Sequence, residues 1–267
     1  MKTDKVKFRI EDRVGIITLA DPPWNGVGKD VTAYILELLD QCEADDNVRC
    51  VMLTHEGPDF SAGGAGEDER PLYEQGMEVA EISRLYRPAG MALIERIDTY
   101  PKPTLSAGMG SCVGAGSVIF QCCDIRIAGE SFKLYDAHLY WGVASDWGMV
   151  TTRMPIWLGR NRVLDYMFLN EVFTARELYE MGIISKVVPD SVCKEVGLMY
   201  AKKMAKTAPV AVRCAKECIR RAVYRTDVNE LVRQEVEAAE VVFASEDARE
   251  STKQSMLYGK KYDFKGR

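Results

Sequence analysis

Only two histidines, His55 and His138, occur in 267 residues, so an imidazole-based metal centre has little to build on. None of the eight cysteines (42, 50, 112, 122, 123, 193, 214 and 218) forms a C-x-x-C pair, which removes zinc-ribbon and thioredoxin-type readings. They sit mostly inside apolar segments, as the reduced thiols of a cytosolic protein do. A basic excess is lacking too. The formal net charge of −5 and pI near 5.3 argue against a nucleic-acid partner. Apolar runs fall far short of the roughly 20 residues that span a bilayer. No apolar stretch follows Met1-Lys2-Thr3-Asp4-Lys5, so neither a membrane segment nor a secretory signal is expected.

Nucleotide and nucleophile motifs are missing as well. Gly108-Met109-Gly110 followed by Gly114 lacks the G-x-G-x-x-G spacing, and no Walker lysine accompanies it. Ser61 stands in no G-x-S-x-G elbow. The acidic run Glu67-Asp68-Glu69 reads as a solvated loop rather than a metal site.

What is present is ample apolar material, 47% of the chain, enough for a large core. Strand-like and helix-like segments alternate. Val14–Leu19, 48–54, 103–107 and 124–128 read as strands, with an amphipathic helix from Asp30 through Cys42 and a buried one over 113–122. A charged helical stretch covers about 74–99, with Pro88 expected to break or kink it. The pattern predicts an α/β core over 1–190. From 191 to 267 it changes to long amphipathic helices, expected over 190–206, 209–224, 227–244 and 246–258.

Two short runs of small residues each follow a strand-like segment: Ser61-Ala62-Gly63-Gly64 and Gly114-Ala115-Gly116. Without bulky side chains, their backbone N–H groups can face a cavity. Two such turns meeting at one point would make an oxyanion hole for charge on a carbonyl oxygen. A third segment, Leu134 to Gly148, gathers His138, Asp146, Trp141, Trp147 and two glycines. On composition alone Asp146 reads equally as a helix cap, His138 as a satisfied half-buried imidazole, and the tryptophans as core aromatics.

The order of these motifs resembles the enoyl-CoA hydratase/isomerase (crotonase) superfamily. Gly57-Pro58-Asp59-Phe60-Ser61-Ala62-Gly63-Gly64 matches its F-[CS]-A-G-[AG] turn. Gly110 through Gly114-Ala115-Gly116 to Cys123-Asp124-Ile125-Arg126-Ile127-Ala128 matches its second signature. Leu158-Gly159-Arg160, Phe173-Thr174-Ala175, Met181-Gly182-Ile183-Ile184 and the tail Tyr258 to Arg267 resemble its later blocks, so the likeness spans the chain. It implies a repeated ββα spiral core and a helical region, 191–267, that forms trimers or hexamers. It also implies an acyl-CoA thioester whose carbonyl is held by the N–H groups of Ala62 and Ala115 as an enolate forms. No cofactor beyond the substrate's own coenzyme A is implied, and Lys260 and Lys261 become candidates for binding its phosphates.

This chain departs from the hydratase pattern at both catalytic glutamates, whose places hold Val118 and His138. Asp146 falls where dienoyl-CoA isomerases of the family carry an aspartate and a dehalogenase branch carries its nucleophile. His138 falls where hydrolases resembling 6-oxocamphor hydrolase place a histidine. The expectation is therefore a His138/Asp146 acid–base pair that isomerises, hydrates or cleaves an acyl-CoA, with Val118, Trp141 and Trp147 lining the pocket. Imidazole, titrating at about 6.5, suits proton transfer near neutrality. A cofactor-free hydrolase of a cyclic β-diketone and a non-catalytic acyl-CoA or partner binder are the alternatives. His55 has a weaker claim on the site.

Overall fold

A computed structural model of the chain describes all residues except 1, 137, 140, 141, 143, 225–227, 259 and 261, and all side chains except also those at 228–231, 238, 252, 253 and 255–257. It opens with an antiparallel hairpin, β1 (Val6–Glu11) and β2 (Val14–Leu19), with Asp12 and Arg13 at φ of 47° and 68° in its two-residue turn. Two consecutive positive φ values match the right-handed twist of the flanking strands. Next come α1 (Lys29–Ala44), β3 (Cys50–His55), α2 (Gly66–Glu74), α3 (Val79–Asp98) and β4 (Thr104–Gly108). They are followed by β5 (Ser111–Val113), α4 (Gly114–Cys122), β6 (Ile125–Gly129) and β7 (Lys133–Tyr135).

Two short helices, α5 (Met154–Leu158) and α6 (Arg160–Phe168), precede β8 (Phe173–Thr174), α7 (Ala175–Glu180) and β9 (Lys186–Val188). The last four helices are α8 (Cys193–Met204), α9 (Pro209–Tyr224), α10 (Val228–Phe243) and α11 (Glu246–Tyr258).

The main sheet runs β1-β2-β3-β4-β6-β9 and is parallel from β2 onward. Both faces are covered, which is why β3 reads as an unbroken apolar run: Val51 and Leu53 enter one core cluster, Cys50 and Met52 the other. The larger cluster lies under α1, α3 and α4. The smaller is closed by α8, where a Cβ at Gly197 would come within 2.6 Å of the Ala107 Cβ. A mixed α/β fold is thus what the sequence predicts.

Details differ. Gly28, not Asp30, caps α1, and Asp30 instead accepts from the Thr3 hydroxyl at 2.8 Å. The charged stretch breaks at Gly76, whose φ is +83°, while Pro88 lies inside α3. The first helix after position 190, α8, packs into the smaller core cluster through Cys193 and Ala201. Six cysteines are buried and all eight are free; burial pushes the Cys42 thiol up to about 11, which keeps it inert.

A second, three-stranded sheet, β5-β7-β8, carries the site. Ser61 forms a parallel bridge with Cys112, and Cys112 pairs in parallel with Leu134. Three segments therefore run side by side and leave this edge in the same direction. Their tips are Gly63-Gly64, Gly114-Ala115 and the segment holding Asp136 and His138.

Candidate active site

The two small-residue turns meet. A Cβ built on Gly63 would lie 3.5 Å from the Val113 carbonyl oxygen, and one built on Gly114 would lie 3.6 Å from the Gly63 Cα. Gly116 is pressed closer still, with Ser61 Cβ 2.3 Å from the place of a Cβ, so no side chain fits between the turns. Gly63 and Gly114 have φ of +107° and +47°, which glycine adopts without strain. The Ser61 hydroxyl is buried, donates to the Asn25 carbonyl at 2.8 Å and accepts from the Gly63 N–H at 3.1 Å. It shapes the turn and is no nucleophile.

One expected donor is corrected. The Ala62 N–H is committed to the Trp24 carbonyl at 2.8 Å, and so is not available to a substrate oxygen. Two residues on, the Gly64 N–H has no partner among the described residues, although its flanking groups are engaged: the Gly63 carbonyl accepts from Val27 and the Gly64 carbonyl from Gly66. Across the gap, Ala115 is the second residue of α4, whose first-turn N–H groups have no carbonyl within the helix and no side-chain cap. That helix end carries partial positive charge and favours a developing anion. The donors available to an oxyanion are therefore those of Gly64 and Ala115. Val118 lies one turn beyond Ala115, 2% exposed within the larger core cluster.

At the third tip, His138 does not pair with Asp146. Its Nδ1 hydrogen-bonds the Oδ1 of Asp136, which is only 2% exposed in its side chain, whereas the imidazole remains a quarter exposed. The His138 backbone N–H also donates to Asp136 at 3.2 Å. Two contacts to one buried carboxylate fix both the position of the ring and the side on which it carries hydrogen. The Nε2 edge is left for chemistry. Asp136 was not a sequence candidate; its signal was its place two residues before the histidine, at the end of a strand.

Asp146 is held from α3. Its Oδ2 accepts from the Ser83 hydroxyl at 2.6 Å and the Arg87 Nε at 2.8 Å, and Arg87 also donates to Ser83 at 2.7 Å. Ser83, Arg87 and Gly90 are spaced i, i+4, i+7, so one face of α3 meets the 146–147 segment. There Trp147 packs flat on Gly90, where a Cβ would come within 2.2 Å of its ring. Asp146 does not cap a helix, since the next one begins at Met154. Trp141 and Lys261 lie outside the described residues.

His55 is fully buried at the end of β3. Its Nε2 accepts from the Met109 N–H at 3.2 Å and its Nδ1 lies 3.2 Å from the Glu56 carbonyl. Burial, reinforced by the Lys194 charge, pushes its pKa down to about 4. It is a neutral structural link.

The tail lies at the opposite ends of the main strands. Buried Asp247 accepts from the Lys265 and Gly266 N–H groups at 2.7 Å each, and Arg49, just before β3, donates to the Lys265 carbonyl at 2.8 Å. Lys265 and Arg267 both pair with Glu246, while Lys260 is exposed.

The fold is a parallel-strand α/β one in which two small-residue turns meet and a carboxylate-held histidine stands on the third of three adjacent segments. Residues 9–267 match the enoyl-CoA hydratase/isomerase family, and the chain belongs to it. It is 29% identical over 263 residues, 98% of each chain, to the "Probable enoyl-CoA hydratase" of Bacillus subtilis (strain 168). It is 30% identical over 223 residues, 81% of this chain and 82% of the other, to the 1,2-epoxyphenylacetyl-CoA isomerase of Escherichia coli (strain K12). The crystal structure of the enoyl-CoA hydratase from Bacillus anthracis superposes with a TM-score of 0.89 at 26% identity, covering 99% of this chain and 100% of that one. Among the described residues no helix is long and apolar enough to cross a membrane, and no cluster of metal-binding side chains occurs.

Proposed function

We propose that this enzyme binds the thioester carbonyl of an acyl-CoA between the Gly64 and Ala115 N–H groups and stabilises the enolate formed there. The convergence of the two turns carries the reading. Each such donor typically contributes about 3–4 kcal/mol to the transition state, two to three decades of rate. His138, oriented by Asp136, exchanges a proton with substrate or water. The Asp136 carboxylate stabilises a transient imidazolium, while Asp146, fixed by Arg87 and Ser83, contributes an ordered polar group to the site. A fixed ion pair fits that role better than nucleophilic attack, which would have to break the Arg87 bond.

With no glutamate at 118 or 138, the reading favours isomerisation or cleavage of the acyl chain over two-glutamate hydration. Val118 and Trp147 form the apolar boundary of the acyl site. Coenzyme A enters as part of the substrate. Its phosphates are held by Lys260 and Lys261 of another copy, because the tail of one chain lies at the far ends of its own strands. Exposed Ile219, Val223, Val232, Val236 and Phe243 on α9 and α10 support assembly of the helical region as a trimer or a pair of trimers.

Titration with acetoacetyl-CoA tests the site, since its enolate mimics the proposed intermediate. Binding with growth of the enolate absorbance is expected. No binding of this thioester, together with cleavage of a cyclic β-diketone that His138→Ala abolishes, would overturn the acyl-CoA reading in favour of the hydrolase.

A further inference from the structure

The acidic run on α2 divides its charges unequally. Glu67 pairs with Lys5 at 2.8 Å, and Asp68 lies 3.7 Å from the same ammonium, with an oxygen packed against Gly28 at the start of α1. Glu69 takes neither partner. Its Oε1 lies 3.3 Å from the place of a Cβ on Gly64, the residue whose N–H is the free donor of the first turn. The side chain is half-buried there, with no ion pair or hydrogen bond among the described residues. Gly64 is thus flanked by one half-buried carboxylate that binds no cation among the described residues.

We propose that Glu69 is a second proton-transfer residue of this site, acting at the carbon next to the thioester carbonyl. The inference rests on the acyl-CoA reading above. The Cα–H bond breaks, and its proton passes to a Glu69 carboxylate oxygen. The bonding pair forms the Cα–C1 double bond, and the carbonyl pair moves to oxygen, where Gly64 and Ala115 hold it. Protonated Glu69 then returns the proton to carbon, with no oxidant or co-reactant required. His138 stands at one tip of this edge and Glu69 on α2 beside the Gly63-Gly64 tip, so one imidazole and one carboxylate from elsewhere in the chain take the places of the two hydratase glutamates.

The surroundings suit a base. Burial raises the Glu69 pKa, and the neighbouring Asp68 raises it further. The other titratable groups on this face are Tyr86 of α3 and Asp30 of α1, with Lys5 across Glu67 and Asp68. A carboxyl with a raised pKa lies closer to neutrality and is the stronger base once ionised.

Phenylacetyl-CoA incubated with the whole enzyme in D2O reads the step directly, because enolate formation washes deuterium into Cα whatever the net reaction. The wild-type enzyme should exchange, at a rate that falls as pH drops through the Glu69 pKa. Glu69→Gln should slow exchange about 10²-fold through kcat, with KM changed less than about threefold, and should remove that acid limb. Glu69→Asp should restore part of the rate, and Glu67→Gln should leave it unchanged. Acetoacetyl-CoA binding and the unfolding midpoint of Glu69→Gln should match wild type, which separates lost chemistry from lost structure. Exchange in the wild type that Glu69→Gln leaves intact overturns the Glu69 proposal alone. A wild-type enzyme that neither exchanges phenylacetyl-CoA nor binds acetoacetyl-CoA overturns the acyl-CoA reading, and the proposal falls with it.

Discussion

The ends of β3 and β7 each present a histidine, and the two environments lead to opposite outcomes. At β3, His55 is sealed between the Met109 N–H and the Glu56 carbonyl, where burial and the Lys194 charge keep the ring neutral. At β7, His138 keeps one edge toward solvent and gives the other to a buried carboxylate. A neutral ring enclosed by amides stiffens the sheet end. A partly open ring backed by a carboxylate leaves one nitrogen within reach of a ligand or water. What distinguishes the two is the chemistry of the partner and the access of the far nitrogen, and neither property can be read from the residue itself.

Removing each ring in turn should break the comparison most sharply. His138→Ala is expected to lower turnover by about 10²–10⁴-fold with an unfolding midpoint near wild type. His55→Ala should do the reverse, costing about 2–3 kcal/mol of stability while a correctly folded fraction keeps its specific activity. Equal losses of activity in both variants would erase the distinction.

The acid side sharpens it. His55 takes up its proton at about 6.5 in the unfolded chain and at about 4 in the folded one. Its contribution is therefore complete above about 6.5 and is lost as pH falls toward 4, by about 3 kcal/mol in all. Urea midpoints measured between pH 7 and 4 should show that slope, and His55→Asn should flatten it.

Asp136→Asn tests whether the carboxylate sets the His138 tautomer. A fall in turnover of one to two decades is expected, with a shifted pH–rate profile. An unchanged profile would reduce Asp136 to a packing residue. The smallest effect belongs to Asp146→Asn, about tenfold in rate and under about 1 kcal/mol in stability, because its Arg87 partner is 43% exposed.

Strands and helices with a strong apolar period were legible in the sequence, including α1 and the four C-terminal helices. The short strands β5, β7, β8 and β9 were not, since two or three residues carry no period and form only by pairing with distant neighbours. The small-residue turns were legible as a place where backbone donors gather. Which amide stays free was not, because the Trp24 carbonyl that occupies Ala62 comes from a loop nearly forty positions earlier. The direct partners of His138 and Asp146 were hidden for a similar reason. Two nearby residues looked like partners until α3 claimed one and a strand end supplied a closer carboxylate for the other. Glu69 was read as solvated because its two acidic neighbours are, and only the turn of α2 sets it apart.

The main-chain origin of the two donors has an evolutionary consequence. Most point mutations leave an amide N–H in place, so the proposed grip on a carbonyl would survive nearly every change of side chain at the site. The side chains proposed to choose a reaction sit instead on separate segments, where each can be exchanged without shifting a strand. A lineage with this layout can lose both glutamates, recruit a histidine or a carboxylate from another tip, and remain throughout a protein that holds the same thioester.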